Sequence, residues 1–245
     1  TYGKVLEVPQ QEEFYHSRIK SSDTRVFVIV SDAMRYEVAA TMADQLQRET
    51  QSKVSISSMQ SIFPSITKFG MAALLPHKEL TVEVRNDVLT VLADGQSTAS
   101  TYRNKVLKSE NPASVALKYN DIIAMKRAER SALVKGMNVV YIYHYTIDEA
   151  SHTSDTVVFS ACDKAISEIN QAYKLSIDQN GGGSAEEFLN MGTEEYFKKF
   201  WQPYLKVATY CEDYKQCGYQ NNSPYYILNG NLLGSALIAG SSRIA

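Results

Sequence analysis

One apolar stretch near the N-terminus constrains the fold of this chain most. Residues 26–31 read Val-Phe-Val-Ile-Val-Ser, and the run ends at Asp32, where a helical pattern begins. A short, continuous run of β-branched and aromatic residues is typical of a strand buried on both faces. In open α/β sheets ligands bind beyond the carboxyl ends of such strands, so Asp32 is well placed for chemistry. The same carboxylate could instead cap the following helix, and this segment alone leaves both interpretations open.

The alternation of strands and helices continues along the chain. Apolar spacing predicts a helix over 34–49, a strand over 53–57, a hairpin over 80–98, an amphipathic helix over 119–134 and a third buried strand over 138–144. Strands that alternate with helices favour a parallel sheet with helices packed on it. We therefore predict an α/β fold.

Thr67 begins a short apolar segment that Pro76 closes. This pattern predicts a helix over 67–75 with Thr67 at or near its N-terminus. A hydroxyl in that position lies beside unpaired backbone N–H groups and the positive end of the helix dipole, which suits a phosphate group. The alternative is a threonine that only caps the helix.

Asp148 and His152 are four residues apart, just beyond the third predicted strand. Carboxylate and imidazole are both good zinc ligands, so their types and spacing suit one divalent metal ion. The alternative is an ordinary pair on the surface of a helix.

Charge and cysteine content narrow the possible partners. The chain has 25 basic and 27 acidic residues, which argues against a broad nucleic-acid or anionic-membrane surface but allows a local phosphate pocket. It contains neither a run of about 18 apolar residues nor a signal-peptide pattern, so we predict no membrane segment. Cys162 is alone in a helical pattern, which suits a reducing compartment, whereas the close pair Cys211 and Cys217 suits an oxidising one.

Four blocks of sequence, in order, carry a family resemblance. They are Ser-Asp-Ala-Met-Arg-Tyr-Glu at 31–37, the segment 63–76 around Thr67, the segment 119–130 and Val-Val-Tyr-Ile-Tyr-His-Tyr-Thr-Ile-Asp at 139–148. The chain from about residue 20 to 170 resembles the PglZ domain of bacterial phage-resistance systems, a branch of the alkaline phosphatase superfamily. The resemblance implies a partial doubly wound alkaline-phosphatase-like sheet with flanking helices, which we assign to a first domain at 1–175.

The resemblance also implies a metal-dependent phosphate-ester hydrolase, either a phosphatase or a phosphodiesterase. By analogy Asp32 binds one metal ion, and Thr67 at the same ion is the nucleophile that forms a phosphoenzyme. Asp148 and His152 then bind a second ion, and zinc is the expected metal. Two cations about 4 Å apart would clamp both ends of an in-line displacement. The implied partners are a phosphate-ester substrate, nucleic acid included, and other phage-defence proteins, with a cytoplasmic location.

The chain departs from the superfamily pattern at one point. The superfamily completes both metal sites with an Asp-His pair after a later strand and with a further histidine. This chain has no Asp-His dipeptide and no histidine after His152. The resemblance thus implies an incomplete set of metal ligands, and the alternative function is a catalytically silent interaction module of a defence complex.

The last third of the chain has a different character. Residues 179–184 read Gln-Asn-Gly-Gly-Gly-Ser, a flexible linker pattern, so we predict a small α+β domain at 176–245 with strands at 225–228 and 236–239. Residues 196–207, followed by Cys211 and Cys217, resemble the globular end of type IV pilin-like proteins. That resemblance implies a Cys211–Cys217 disulfide and offers an extracellular structural subunit as a third interpretation.

Overall fold

The computed structural model of the chain describes residues 8–49, 53–153, 155–179, 224–229 and 235–241. A 3-10 turn at Gln11–Glu13 and a π-helical turn at Tyr15–Ile19 precede the first strand. The described residues then form β1 Val26–Ser31, α1 Tyr36–Glu49, β2 Lys53–Met59, α2 Thr67–Ala73, β3 Leu80–Arg85, β4 Val88–Ala93, β5 Gln96–Ser97, α3 Arg103–Glu110, β6 Ser114–Lys118, α4 Tyr119–Ala124, α5 Arg127–Val134, β7 Val139–His144, α6 Thr146–Ser151, α7 Asp155–Gln179, β8 Pro224–Asn229 and β9 Ser235–Ser241.

A six-stranded sheet forms the centre of the fold. Its strand order is β2-β9-β8-β1-β7-β6, and β8, β1, β7 and β6 run parallel to their neighbours in this group. Only β9 among these strands is antiparallel to both of its neighbours. Every residue of β1 and of β7 is buried, and both strands are apolar except for their last residues, Ser31 and His144. The predicted α/β class is confirmed.

Helices cover the sheet on both faces, as a doubly wound fold requires. Alternate residues of β1 point to opposite faces: Phe27 and Ile29 belong to one apolar cluster, whereas Val28 and Val30 belong to the other. The first cluster includes residues of α1 and α7, and the second includes residues of α2 and α3. Within the described ranges, no helix combines the length and apolar character needed to cross a membrane.

The structure differs from the sequence-based prediction at two places in the middle of the chain. Strand β6, at Ser114–Lys118, was not predicted. The single helix expected over 119–134 is two helices, because Met125 and Lys126 adopt extended backbone conformations. The Lys126 N–H donates a 2.7 Å hydrogen bond to Oε2 of Glu129, so the break is also the start of α5.

Glu129→Ala should lower the free energy of unfolding by about 1 kcal/mol, because it removes the side-chain acceptor of the Lys126 N–H at the start of α5. Urea denaturation of the purified protein measures this change. Glu129→Gln keeps a side-chain oxygen at the same place and should cost less. Equal stability for wild type and the alanine variant would show that this cap contributes nothing.

The two C-terminal strands form where the sequence predicts strands, and both pair within the main sheet. Strand β8 pairs with β1 on the side away from β7, and β9 pairs with both β8 and β2. These strands therefore extend the main sheet, and β8 gives β1 a hydrogen-bonded neighbour on its second side. The division into domains at 1–175 and 176–245 stays a prediction. Residues 180–223, with the predicted linker, Cys211 and Cys217, lie outside the described residues, so the disulfide and the pilin-like resemblance stay predictions.

Candidate active site

The carboxyl ends of parallel strands β1 and β7 lie at the same edge of the sheet. Ser31, the last residue of β1, pairs with His144, the last residue of β7. Asp32 follows directly, and its N–H donates a 2.9 Å hydrogen bond to the carbonyl of His144. This edge is where open α/β sheets bind ligands. The topology thus brings the residues after β1 and after β7 together.

Asp32 is a carboxylate with an unusual environment. The residue is fully buried, and its Oδ1 accepts a 3.0 Å hydrogen bond from the N–H of Ala33, whose φ of 59° is left-handed. Burial, reinforced by the nearby negative charge of Asp148, raises the pKa of Asp32 to about 6. The hydrogen bond from Ala33, the positive charge of Arg103 and hydrogen bonding by the Thr67 side chain lower the pKa and only partly offset that rise. A buried carboxylate with a raised pKa at a strand end is a candidate functional group.

Thr67 lies beside this carboxylate. It is the first residue of α2, as the sequence predicts, and its side chain is half-buried. The hydrogen bonding between its side chain and Asp32 lowers the pKa of that carboxyl. Ile66, and not Thr67, occupies the N-cap position of α2.

Asp148 lies in α6, close enough to Asp32 for its charge to raise the pKa of that residue. Asp148 is partly buried, whereas the side chain of His152 is 76% exposed. The two residues form an i,i+4 pair, with 3.7 Å between Nε2 of His152 and Oδ1 of Asp148. The structure therefore brings Asp32, Thr67 and Asp148 together, and it places His152 at the solvent side of Asp148.

Arg103 supplies positive charge that the sequence analysis did not predict. It is a buried residue, and its Nη1 donates a 2.6 Å hydrogen bond to the hydroxyl of Tyr145. Its guanidinium carbon lies 4.3 Å from the centre of the Tyr143 ring, a cation–π contact. The charge of Arg103 also lowers the pKa of Asp32. A cation that is fixed in this way can stabilise a phosphoryl group next to Asp32.

A cleft of about 570 Å³ opens beside this cation. Arg103, Lys118, Tyr143, Tyr145 and Thr146 are among its lining residues. Because the cleft shares Arg103 with the surroundings of Asp32, a ligand in the cleft would reach towards the candidate site. The lining combines aromatic rings with two cations and with two carboxylates, Asp121 and Glu149, so it suits a polar organic group.

Behind Asp32 lies a second group that the sequence analysis did not predict. His144 is 1% exposed; its Nδ1 lies 3.0 Å from Oγ of Ser31, and its Nε2 lies 2.8 Å from Oε2 of Glu168 in α7. Burial lowers the pKa of His144, whereas the hydrogen bond to Glu168 and the negative charge of Glu168 act in the opposite direction. Burial alone would raise the pKa of Glu168, but hydrogen bonds from Thr146 and His144 lower it below its ordinary value.

The donor set fits a divalent cation in part. Oδ2 of Asp32 is buried and makes no hydrogen bond of ordinary geometry, and a buried acceptor without a donor is unfavourable by about 1–3 kcal/mol. A cation held by Asp32 and Asp148 would satisfy that oxygen and neutralise two like charges. Among the described residues, however, no three His, Cys, Asp or Glu side chains gather closely enough to hold a metal ion. The described residues thus supply only part of a coordination sphere for a divalent cation, and not two complete sites.

The chain is similar in sequence to known alkaline phosphatase-like proteins. Residues 14–183 match the family described as the BREX system PglZ alkaline phosphatase-like domain. The alkaline phosphatase-like protein BrxZ of Escherichia coli O9:H4 (strain HS) is 38% identical over 183 residues, which cover 71% of this chain and 21% of that protein. The alkaline phosphatase-like protein PglZ of Bacillus cereus (strain H3081.97) is 34% identical over 173 residues, 69% of this chain and 20% of that protein. The aligned region is thus about a fifth of the length of each of these relatives.

Proposed function

The chain belongs to the family of BREX system PglZ alkaline phosphatase-like domains, and on this premise we propose that it is a metal-dependent phosphate-ester hydrolase. The observation that supports the proposal most is the environment of Asp32: a buried carboxylate with an unpartnered oxygen, next to Asp148 and the Thr67 hydroxyl. The sequence motifs that carry the family resemblance supply all three of these residues. We expect the substrate to be a phosphate monoester or diester, nucleic acid included, and the partners to be other phage-defence proteins.

Each residue has a role that follows from its position. In the first step Oγ1 of Thr67 forms a bond to phosphorus while the ester P–O bond breaks; the hydroxyl proton leaves to solvent and the alcohol product takes up a proton. Arg103 binds phosphoryl oxygens, and the cleft beside it holds the organic part of the ester. Water then hydrolyses the phosphothreonine. A divalent cation held by Asp32 and Asp148, with zinc as the first expectation, would neutralise charge and lower the pKa of a bound hydroxyl or water.

Metal analysis and an aryl phosphate assay of the purified chain test this function. We expect a bound or bindable divalent ion and hydrolysis of p-nitrophenyl phosphate or its diester in Zn²⁺ or Mn²⁺. Asp148→Asn should weaken binding of the ion by more than the roughly 10–100-fold typical of changes outside the coordination sphere, because it replaces a direct ligand.

Asp44→Asn is the matched control for Asp148→Asn, since Asp44 is an exposed carboxylate on α1 away from the site. It should leave both metal affinity and hydrolysis unchanged. Wild-type protein that binds none of these ions and hydrolyses no aryl phosphate would overturn the proposal. That result would favour the alternative function, a catalytically silent interaction module. The observation in favour of this alternative is that the described residues contain no cluster of three metal ligands.

A further inference from the structure

Glu168 contacts two segments at the edge of the sheet, one next to Asp32 and the other in the helix that carries Asp148. Its Oε2 is 2.8 Å from Nε2 of His144, at the end of β7, and 2.5 Å from Oγ1 of Thr146, the first residue of α6. Its other oxygen, Oε1, is 3.6 Å from Nζ of Lys164 one turn earlier in α7. One carboxylate in α7 therefore contacts both elements at the edge of the site.

The hydrogen bonds fix the orientation of His144. A carboxylate has only acceptors, so Nε2 of His144 must donate to Glu168. The other ring nitrogen, Nδ1, lies 3.0 Å from the hydroxyl oxygen of Ser31, so the two groups are hydrogen-bonded. The backbone carbonyl of His144 accepts the N–H of Asp32 as well. The end of β1 is thus attached to His144 through a side chain and through the backbone.

This arrangement does not match a hydrolytic Ser-His-acid triad. In such a triad Nε2 faces the serine and Nδ1 faces the acid, whereas here the two ring nitrogens are exchanged. Ser31 is also fully buried, so its hydroxyl has no access to a substrate. The contacts of Ser31, His144 and Glu168 can therefore hold neighbouring residues in place, but they do not present Ser31 as a nucleophile.

We propose that Glu168, acting through His144 and Thr146, is a positioning residue that sets the relative placement of the carboxylates of Asp32 and Asp148. The first arm runs from Glu168 through His144 to Ser31, the neighbour of Asp32. The second arm runs from Glu168 to Thr146, two residues before Asp148 in α6. Side chains that bind an ion need such support, because small displacements weaken binding strongly. The test of this inference by metal binding rests on the proposed function. The test of its hydrogen bonds does not depend on that function.

Binding of Mn²⁺ to the substrate-free protein, measured by isothermal titration calorimetry, tests the first consequence. Glu168→Gln should weaken Mn²⁺ binding by about 10–100-fold. Thr146→Val and Ser31→Ala each remove one arm and should each weaken binding less than Glu168→Gln does. Asp163→Asn, an exposed carboxylate in the same helix, is the matched control and should bind as wild type does.

Two-dimensional ¹⁵N NMR of the imidazole in wild-type protein tests the second consequence without a metal or a variant. We expect Nε2 of His144 to carry a proton, because only a donor can form a hydrogen bond with the carboxylate of Glu168. Observation of the Nδ1–H tautomer would overturn the inference even if every variant failed to fold. Mn²⁺ affinity of Glu168→Gln within about twofold of a metal-binding wild type would overturn it too. Wild-type protein that does not bind Mn²⁺ but shows the expected proton on Nε2 would contradict the proposed function and the metal-positioning role, leaving the hydrogen-bond network in place.

Discussion

Thr67→Ala should abolish the hydrolysis of phosphate esters while the protein stays folded. Thr67 has the side-chain oxygen that lies beside Asp32, and alanine at this position has no atom that can form a bond to phosphorus. Loss of an attacking nucleophile typically lowers kcat by at least about a thousandfold. Because α2 presents Thr67 at its first turn with a half-buried side chain, the change leaves no large cavity in the core.

Initial rates with p-nitrophenyl phosphate, together with a thermal melt of each variant, measure this effect. Thr67→Ser restores a hydroxyl and should recover a substantial part of the wild-type rate. Thr41→Ala on the exposed face of α1 is the control for loss of a threonine hydroxyl, and it should have no effect on the rate. A Thr67→Ala protein that turns over substrate at the wild-type rate would rule out Thr67 as the nucleophile.

Asp32→Asn should make the metal-free protein more stable at neutral and alkaline pH, although it weakens metal binding. The folded protein raises the pKa of Asp32 to about 6, because the group is buried and faces Asp148. Below the ordinary pKa of an aspartic acid the carboxyl is protonated in both the folded and the unfolded state, so its ionisation does not change the free energy of unfolding. Between about pH 4 and pH 6 the unfolded chain ionises while the folded chain stays protonated, so wild type progressively loses up to about 3 kcal/mol that the asparagine variant keeps.

Urea denaturation in EDTA at pH 4 and at pH 8 measures this difference. We expect nearly equal free energies of unfolding at pH 4 and a more stable variant at pH 8. Added Mn²⁺ should then raise the stability of wild type and not that of Asp32→Asn, since an ion that binds only the folded state stabilises it. Asp44→Asn should show neither effect. A less stable Asp32→Asn protein at pH 8 in EDTA would mean that the carboxylate is stabilised by contacts in the metal-free fold.

The central strands could be predicted because their signal is local. β1 and β7 are buried on both faces, so each is a continuous apolar run that needs no knowledge of its neighbours. The position of Asp32 beyond β1 follows from the same pattern. The short strand β6 has no such signal, since Ser114 and Lys118 bracket only three apolar residues and the strand is identified by its pairing with β7.

The supporting residues of the site depend on contacts between distant segments. Arg103 and Glu168 lie in helices whose periodicity predicts only which face is apolar, and a charged residue on the other face is usually solvated. Their distances to Tyr145 and to His144 come from the packing of α3 and α7 at the sheet edge. For the same reason the sequence predicted β8 and β9 as strands but not their place beside β1 and β2, because strand order is not encoded within a strand.

The position of β1 within the sheet also governs the order in which the molecule can assemble. Val26 pairs with Val139 on one side, and Phe27 pairs with Tyr225 on the other, so both hydrogen-bonded neighbours of this early strand come from far later in the chain. Such pairings require closure of long loops before any contact is gained, which slows folding. Asp32 therefore leaves the ribosome well before the residues of β7 and β8 that pair with β1. A nascent chain thus carries Asp32 long before it contains the strands that position β1 in the sheet.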